Sequence, residues 1–182
     1  MELVRPLALM AVFAGLCVVD PLAGSPVVAA DIASVSCAPS AAIPPEPHPG
    51  SDVSFESYES QVPERIVDTR DGRGGVTGPV GAGCTLTVDV GTAVPGHAVG
   101  LALSLTVVSP EQGFFTAFPC AKGRPGTSSV NARPGLASAN LVAVAPHVDN
   151  RTCIFSSAGG HIIVDVSGWW EAGTARFTAV GP

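Results

Sequence analysis

From residue 62 onward the chain is cut into short apolar runs by glycine and proline about every ten residues, the spacing of strands and turns. Eight segments read as strands: Arg65–Thr69, Cys84–Val90, Val99–Val108, Gly113–Phe118, Ser128–Ala132, Asn140–Ala145, Thr152–Ser156 and His161–Trp169. Alternation is clearest where Leu101, Leu103, Leu105 and Val107 interleave with Ala102, Ser104 and Thr106. It recurs where Ile162, Val164 and Val166 interleave with His161, Ile163 and Asp165. One face of each of these strands is therefore core. The breaks carry turn chemistry, among them Asp71-Gly72, Pro95-Gly96, Pro134-Gly135 and Gly159-Gly160. No stretch has the period or length of an ordinary helix. The expected fold is all-β, an antiparallel β-sandwich of jelly-roll-like form spanning residues 62–172.

The N-terminal third lacks this pattern. Arg5 precedes an apolar run from Leu7 to Val19, and Val28 and Ala30 set small residues before Asp31, so residues 1–30 read as a secretory signal peptide. The run is too short to span a bilayer, and no later stretch is apolar enough, which predicts no membrane span once the signal is removed. Residues 31–61, with Pro39, Pro44, Pro45, Pro47, Pro49 and several serines, read as an acidic Pro/Ser-rich spacer. The last stretch, 173–182, resembles the lead-in to a further repeat, and a final strand is the alternative.

Composition narrows the function classes. At 46% hydrophobic and 13% charged residues, with 21 Gly and 17 Pro, the chain is too apolar to be disordered, while its low content of Lys, Glu and Leu argues against a helix bundle or coiled coil. Nine Lys plus Arg against fifteen Asp plus Glu gives a net charge of −6, so no basic field exists to attract nucleic acid. Beyond the signal, Cys37, Cys84, Cys120 and Cys153 remain. Without a C-x-x-C or a histidine at zinc-finger offset they read as two disulfides in an oxidising compartment, and three pairings are open.

The residues also resemble a known unit. The order Pro63-Glu64-Arg65-Ile66-Val67-Asp68-Thr69-Arg70, then Gly113-Phe114-Phe115-Thr116-Ala117-Phe118-Pro119, then Ser128-Ser129-Val130-Asn131 with Ala139-Asn140, and finally Val164-Asp165-Val166-Ser167-Gly168-Trp169-Trp170 is similar to a secreted β-rich repeat. That module occurs in cell-surface and extracellular proteins of high-GC Gram-positive bacteria. The resemblance implies an extracellular location and a passive role, and it names no ligand. Within such a unit Cys120 ends a strand and Cys153 begins one, which favours Cys120–Cys153, leaving Cys37 in the spacer to pair with Cys84.

The candidate chemistry is sparse. Asp68, Arg70 and Asp71 at a strand end are expected to form an ion pair that fixes the turn, with Asp165 accepting from an arginine such as Arg70. Asn131 and Asn140 are expected to satisfy backbone groups near the Pro134-Gly135 turn. No motif marks a nucleophile elbow, a zinc protease, a P-loop or a dinucleotide site, and no cofactor or metal is expected. The histidines lack ligand spacing. Ser156 and Ser157 lie near His161, and Glu111 and Glu171 are the only glutamates of the 62–172 unit after its opening Pro63-Glu64-Arg65. Trp169 and Trp170 are adjacent, so in a strand they point to opposite faces. The outward indole, with Phe114 and Phe118 extending it, would form a platform for a sugar ring. The expected function is that of a secreted, non-catalytic module attaching to an extracellular surface, polysaccharide or cell-wall component. A small hydrolase built from scattered residues and a structural or inhibitory protein-binding domain are the alternatives.

Overall fold

The computed structural model describes residues 32–38, 54–146 and 150–176; the signal-peptide segment and residues 177–182 of the tail lie outside them. The chain is all-β. Its strands are β1 (Ala33–Ser36), β2 (Ser54–Asp68), β3 (Thr85–Asp89), β4 (Ala98–Val108), β5 (Gly113–Pro119), β6 (Val130–Ala132), β7 (Ala137–Val144), β8 (Arg151–Ser156) and β9 (His161–Arg176). A five-stranded sheet in the order β1-β3-β8-β5-β6 packs on a four-stranded sheet in the order β2-β9-β4-β7. All pairings are antiparallel.

The strand order follows from one nested hairpin. β5 pairs with β6, β4 with β7, β3 with β8 and β2 with β9, so the outgoing half of the chain meets the returning half strand by strand. Folded over on itself, this long ribbon gives the two four-stranded sheets of a jelly roll. β1 is an extra strand added beside β3.

Alternation decides the core. Leu101, Leu103, Leu105 and Val107 of β4 and Ile162, Val164 and Val166 of β9 meet Leu86, Val88, Phe115 and Ile154 from the opposite sheet. All are essentially inaccessible to water. A second, smaller cluster lies on the outer face of the five-stranded sheet, where Phe118, Cys153 and Phe155 are buried with Phe114 and Cys120 beside them. The loop from β5 to β6 covers it. Arg124 sits 4.2 Å from the centre of the Phe155 ring, and the Thr116 hydroxyl donates to the Thr127 carbonyl.

Two disulfides are formed. Cys37–Cys84 ties the end of β1 to the start of β3, and Cys120–Cys153 pins the covering loop to β8. The spacer expected over residues 31–61 needs correction where it is described. Ala33–Ser36 forms an edge strand, and β2 begins at Ser54, eight residues before the expected start of the domain. Serine recurs in both stretches, with glutamate beside it at the start of β2, and the apolar alternation that marks central strands is lost on these edges. At the other end β9 continues to Arg176, so the first part of the expected tail is strand.

Candidate functional site

The outer face of the four-stranded sheet carries an aromatic pair and a patch of ion-paired side chains. β9 reaches it through a bulge. Val166 faces Leu103, Gly168 faces Ala102 and Trp169 faces Leu101, so Ser167 is the extra residue and resets the alternation. Trp169 consequently turns inward and packs against the core, and Trp170 turns outward. Opposite Trp170 across the ladder stands Tyr58 of β2. Their ring centres are 5.0 Å apart with planes tilted by 46°, and Tyr58 is 45% exposed.

The strand backbones explain why the pair can form. β2 carries its own irregularity between Ser60 and Glu64, opposite the β9 bulge. Gln61 Nε2 donates to the Val166 carbonyl at 3.2 Å, and Tyr58 Oη donates to the Ser167 carbonyl at 3.2 Å. Both bonds satisfy carbonyls in the bulged stretch of β9. Gly168 lies directly beneath. A Cβ there would collide with the Tyr58 ring and the Glu59 carbonyl, so the ring rests on glycine backbone.

Farther along the same face lies an ionic patch. Arg65 and Asp165 are direct cross-strand partners, with Nε to Oδ1 at 2.8 Å and Nη2 to Oδ2 at 3.2 Å. Asp68 is 2% exposed and accepts from Arg70 through its backbone N at 3.0 Å, Nε at 2.9 Å and Nη2 at 2.7 Å, and from Arg65 Nη1 at 3.3 Å. The Arg70 side chain, assisted by its amide and by Arg65, lowers the Asp68 carboxyl to about 2 against the opposing effect of burial. A hollow of about 430 Å3 lies beside this patch, lined by Pro63, Arg65, Asp71, Arg73 and Asp165. Along β9 the patch and the aromatic pair are about 15 Å apart at the usual rise of a strand.

The sequence-predicted residues divide between this face and other places. Asp68 and Arg70 form the expected pair, but Asp165 takes Arg65 rather than Arg70, because Arg65 is its ladder partner and Arg70 lies past the strand end. Asp71 accepts from the Arg73 amide at 3.0 Å and so shapes the turn. Asn140 Nδ2 donates to the Ser129 carbonyl at 2.7 Å, tying β7 to the opposite sheet. Asn131 takes no backbone group: its Oδ1 accepts from Ser128 Oγ at 3.0 Å. Phe114 and Phe118 do not extend the indole platform. They belong to the outer face of the other sheet, where Phe118 is buried under the covering loop and Phe114 packs on Phe155. Trp169 instead donates from Nε1 to Glu171 Oε1 at 3.4 Å, and the same oxygen lies 3.0 Å from His97 Nε2. His97, and secondarily Trp169, hold the Glu171 carboxyl below the usual range.

The residues considered for catalysis are occupied elsewhere. Ser156 Oγ accepts from the Gly159 amide, Ser157 Oγ accepts from the Phe114 amide, and His161 Nδ1 lies 3.2 Å from Thr69 Oγ1. Glu171 faces the first residue of β4, while Glu111 follows its last, which puts the two carboxylates about 30 Å apart along that strand. No cluster of three or more metal-ligating side chains occurs among the described residues, and no described helix is long and apolar enough to cross a membrane. His48 and His147 lie outside the described residues.

Tyr58, Gln61 and Arg65 as the partner of Asp165 are the site features that sequence reasoning missed. Tyr58 is the single tyrosine of the chain and stands in the stretch taken for a spacer. Only its pairing with a residue more than a hundred positions away reveals it. Comparison with protein-family models, curated proteins and solved structures finds no match to this chain.

Proposed function

We propose that this chain is a secreted, non-catalytic module that attaches to an extracellular polysaccharide or cell-wall glycan through the outer face of its four-stranded sheet. The observation that carries the reading is the Tyr58–Trp170 pair, tilted and half-exposed on a floor of glycine backbone. Aromatic faces accept the apolar faces of sugar rings, and the polar groups of Arg65 and Asp165 lie along the same strands to take hydroxyls. The two disulfides support an oxidising compartment. Backbone amides bound to Ser156 and Ser157 support the absence of catalysis, as does the engagement of the two neighbouring carboxylates of this face, Asp68 and Asp165, by arginines.

Retention on insoluble glycans tests the proposal. Stacking does not depend on ionic strength, so retention is expected to change little between low and high salt. Trp170→Ala and Tyr58→Ala should each abolish it with the melting curve little changed. Failure of every glycan to retain the parent chain, or retention that survives both substitutions, would remove the sugar-binding reading.

A further inference from the structure

An open sheet edge invites another strand, and proteins protect their edges by shortness, charge, proline or bulges. The two sheets end in four edge strands, β1 and β6 in one and β2 and β7 in the other. Three of them are protected. β1 has four residues and β6 three. β2 is long, but four register shifts break its ladder, and it carries Glu59, Pro63, Glu64 and Arg65.

β7 has none of these devices. Its eight residues, Ala-Ser-Ala-Asn-Leu-Val-Ala-Val, include no charge, proline or glycine. They pair with β4 without a single shift from Ala137 opposite Val108 to Val144 opposite Leu101. Among the described residues the backbone of 137–144 bonds to no strand but β4. Its first half borders an open hollow of about 390 Å3 shared with Val130, Asn131, Arg133 and Leu136, so no chain among the described residues packs over it. The strand's outer face exposes Ala137, Ala139, Leu141 and Ala143, and Leu141 is 70% exposed.

We propose that β7 is an interface at which two copies of this chain pair antiparallel about a twofold axis, joining their four-stranded sheets into one of eight strands. Self-complementarity selects a second copy as the occupant. Opposed residues of an antiparallel pair share a face, so an axis through Leu141 sets Leu141 against its own copy and Ala139 against Ala143. No position then meets a like charge. Charge distribution favours the same edge. Glu59, Glu64, Asp68 and Asp71 lie on or just after β2, at the opposite edge of the sheet, which keeps the acidic side of one copy away from that of the other.

The test is the molar mass of the full chain by light scattering over a dilution series, with its disulfides intact. The parent should show twice the chain mass and dissociate on dilution. Leu141→Lys and Ala139→Lys, both on the exposed face of β7, should each give single-chain mass under conditions where the parent is dimeric, while keeping the β-sheet spectrum. Val62→Lys, on the other edge strand and 88% exposed in the parent, should leave the dimer unchanged. The proposal is overturned by a parent of single-chain mass at every concentration, by a dimer that survives both β7 lysines, or by equal dissociation in the Val62 variant.

Discussion

Asp68 shows how one carboxylate organises a strand end. Burial alone would raise its pKa, but the Arg70 side chain, the Arg70 amide and Arg65 reverse that effect and lower it to about 2 from an ordinary value of 3.8. A depressed carboxyl adds stability that is complete above its unfolded pKa and is lost as pH falls through the folded one. The shift corresponds to about 2 kcal/mol, and screening of the half-exposed guanidinium partners reduces it to about 1 kcal/mol. Asp68→Asn is therefore expected to lower stability by at least that amount at pH 7, with the gap to the parent narrowing from about pH 4 down to pH 2. Urea unfolding at several pH values checks this, and a gap independent of pH would show that the charge is not what matters. The two tryptophans part company at the same scale. Trp169→Ala should cost about 2 to 3 kcal/mol through lost core contact, somewhat below the loss of a fully buried ring, and thermal unfolding measures it. Trp170→Ala should leave stability nearly unchanged and remove glycan retention.

At the scale of the element, β9 carries both halves of the argument, since it lies between β2 and β4 and supplies the core and the outer site in turn. Ser167 and Gly168 make the switch. Gly168→Ala is expected to displace the Tyr58 ring, because the added methyl meets that ring and the fixed Glu59 carbonyl. The variant should bind glycan at least tenfold more weakly, a loss of about 1.4 kcal/mol, and should show altered near-ultraviolet circular dichroism from the tyrosine and tryptophan. Unchanged binding would mean that the ring position is immaterial. The central strands were legible in the sequence because Leu101 to Val107 alternate with polar or small neighbours and Ile162, Val164 and Val166 recur at every second position. The opposed directions of Trp169 and Trp170 were legible for the same reason. The first half of β2 was not, since residues 54–61 are mostly serine and glutamate on an edge, and neither was the Arg65–Asp165 pair, which only the ladder register sets. Phe114 and Phe118 misled because spacing along a strand does not reveal which sheet the strand joins.

For the whole molecule, the nested hairpin separates what the fold requires from what is added to it. β2 to β9 complete the jelly roll by pairing outgoing with returning strands, and β1 stands outside that scheme, held by its ladder to β3, the Ala33 amide bond to Gly74 and Cys37–Cys84. Cys120–Cys153, in contrast, fastens the loop that roofs the outer aromatic cluster against β8. Each bridge closes a loop long enough to contribute about 2 to 4 kcal/mol by restricting the unfolded chain. The consequences of losing them should differ in place more than in size. Replacing Cys37 and Cys84 together by Ala should release β1 and leave the two four-stranded sheets standing. In hydrogen exchange the Asp89 amide, which donates to the Ile32 carbonyl at 2.7 Å, should then lose protection while β4 and β9 keep theirs. Replacing Cys120 and Cys153 should instead deprotect the Thr127 to Ser129 stretch and open Phe118 and Phe155 to water, seen as binding of a hydrophobic dye. Loss of protection throughout β4 and β9 in the first variant would mean that β1 is part of the cooperative fold and that the eight-stranded scheme does not stand by itself.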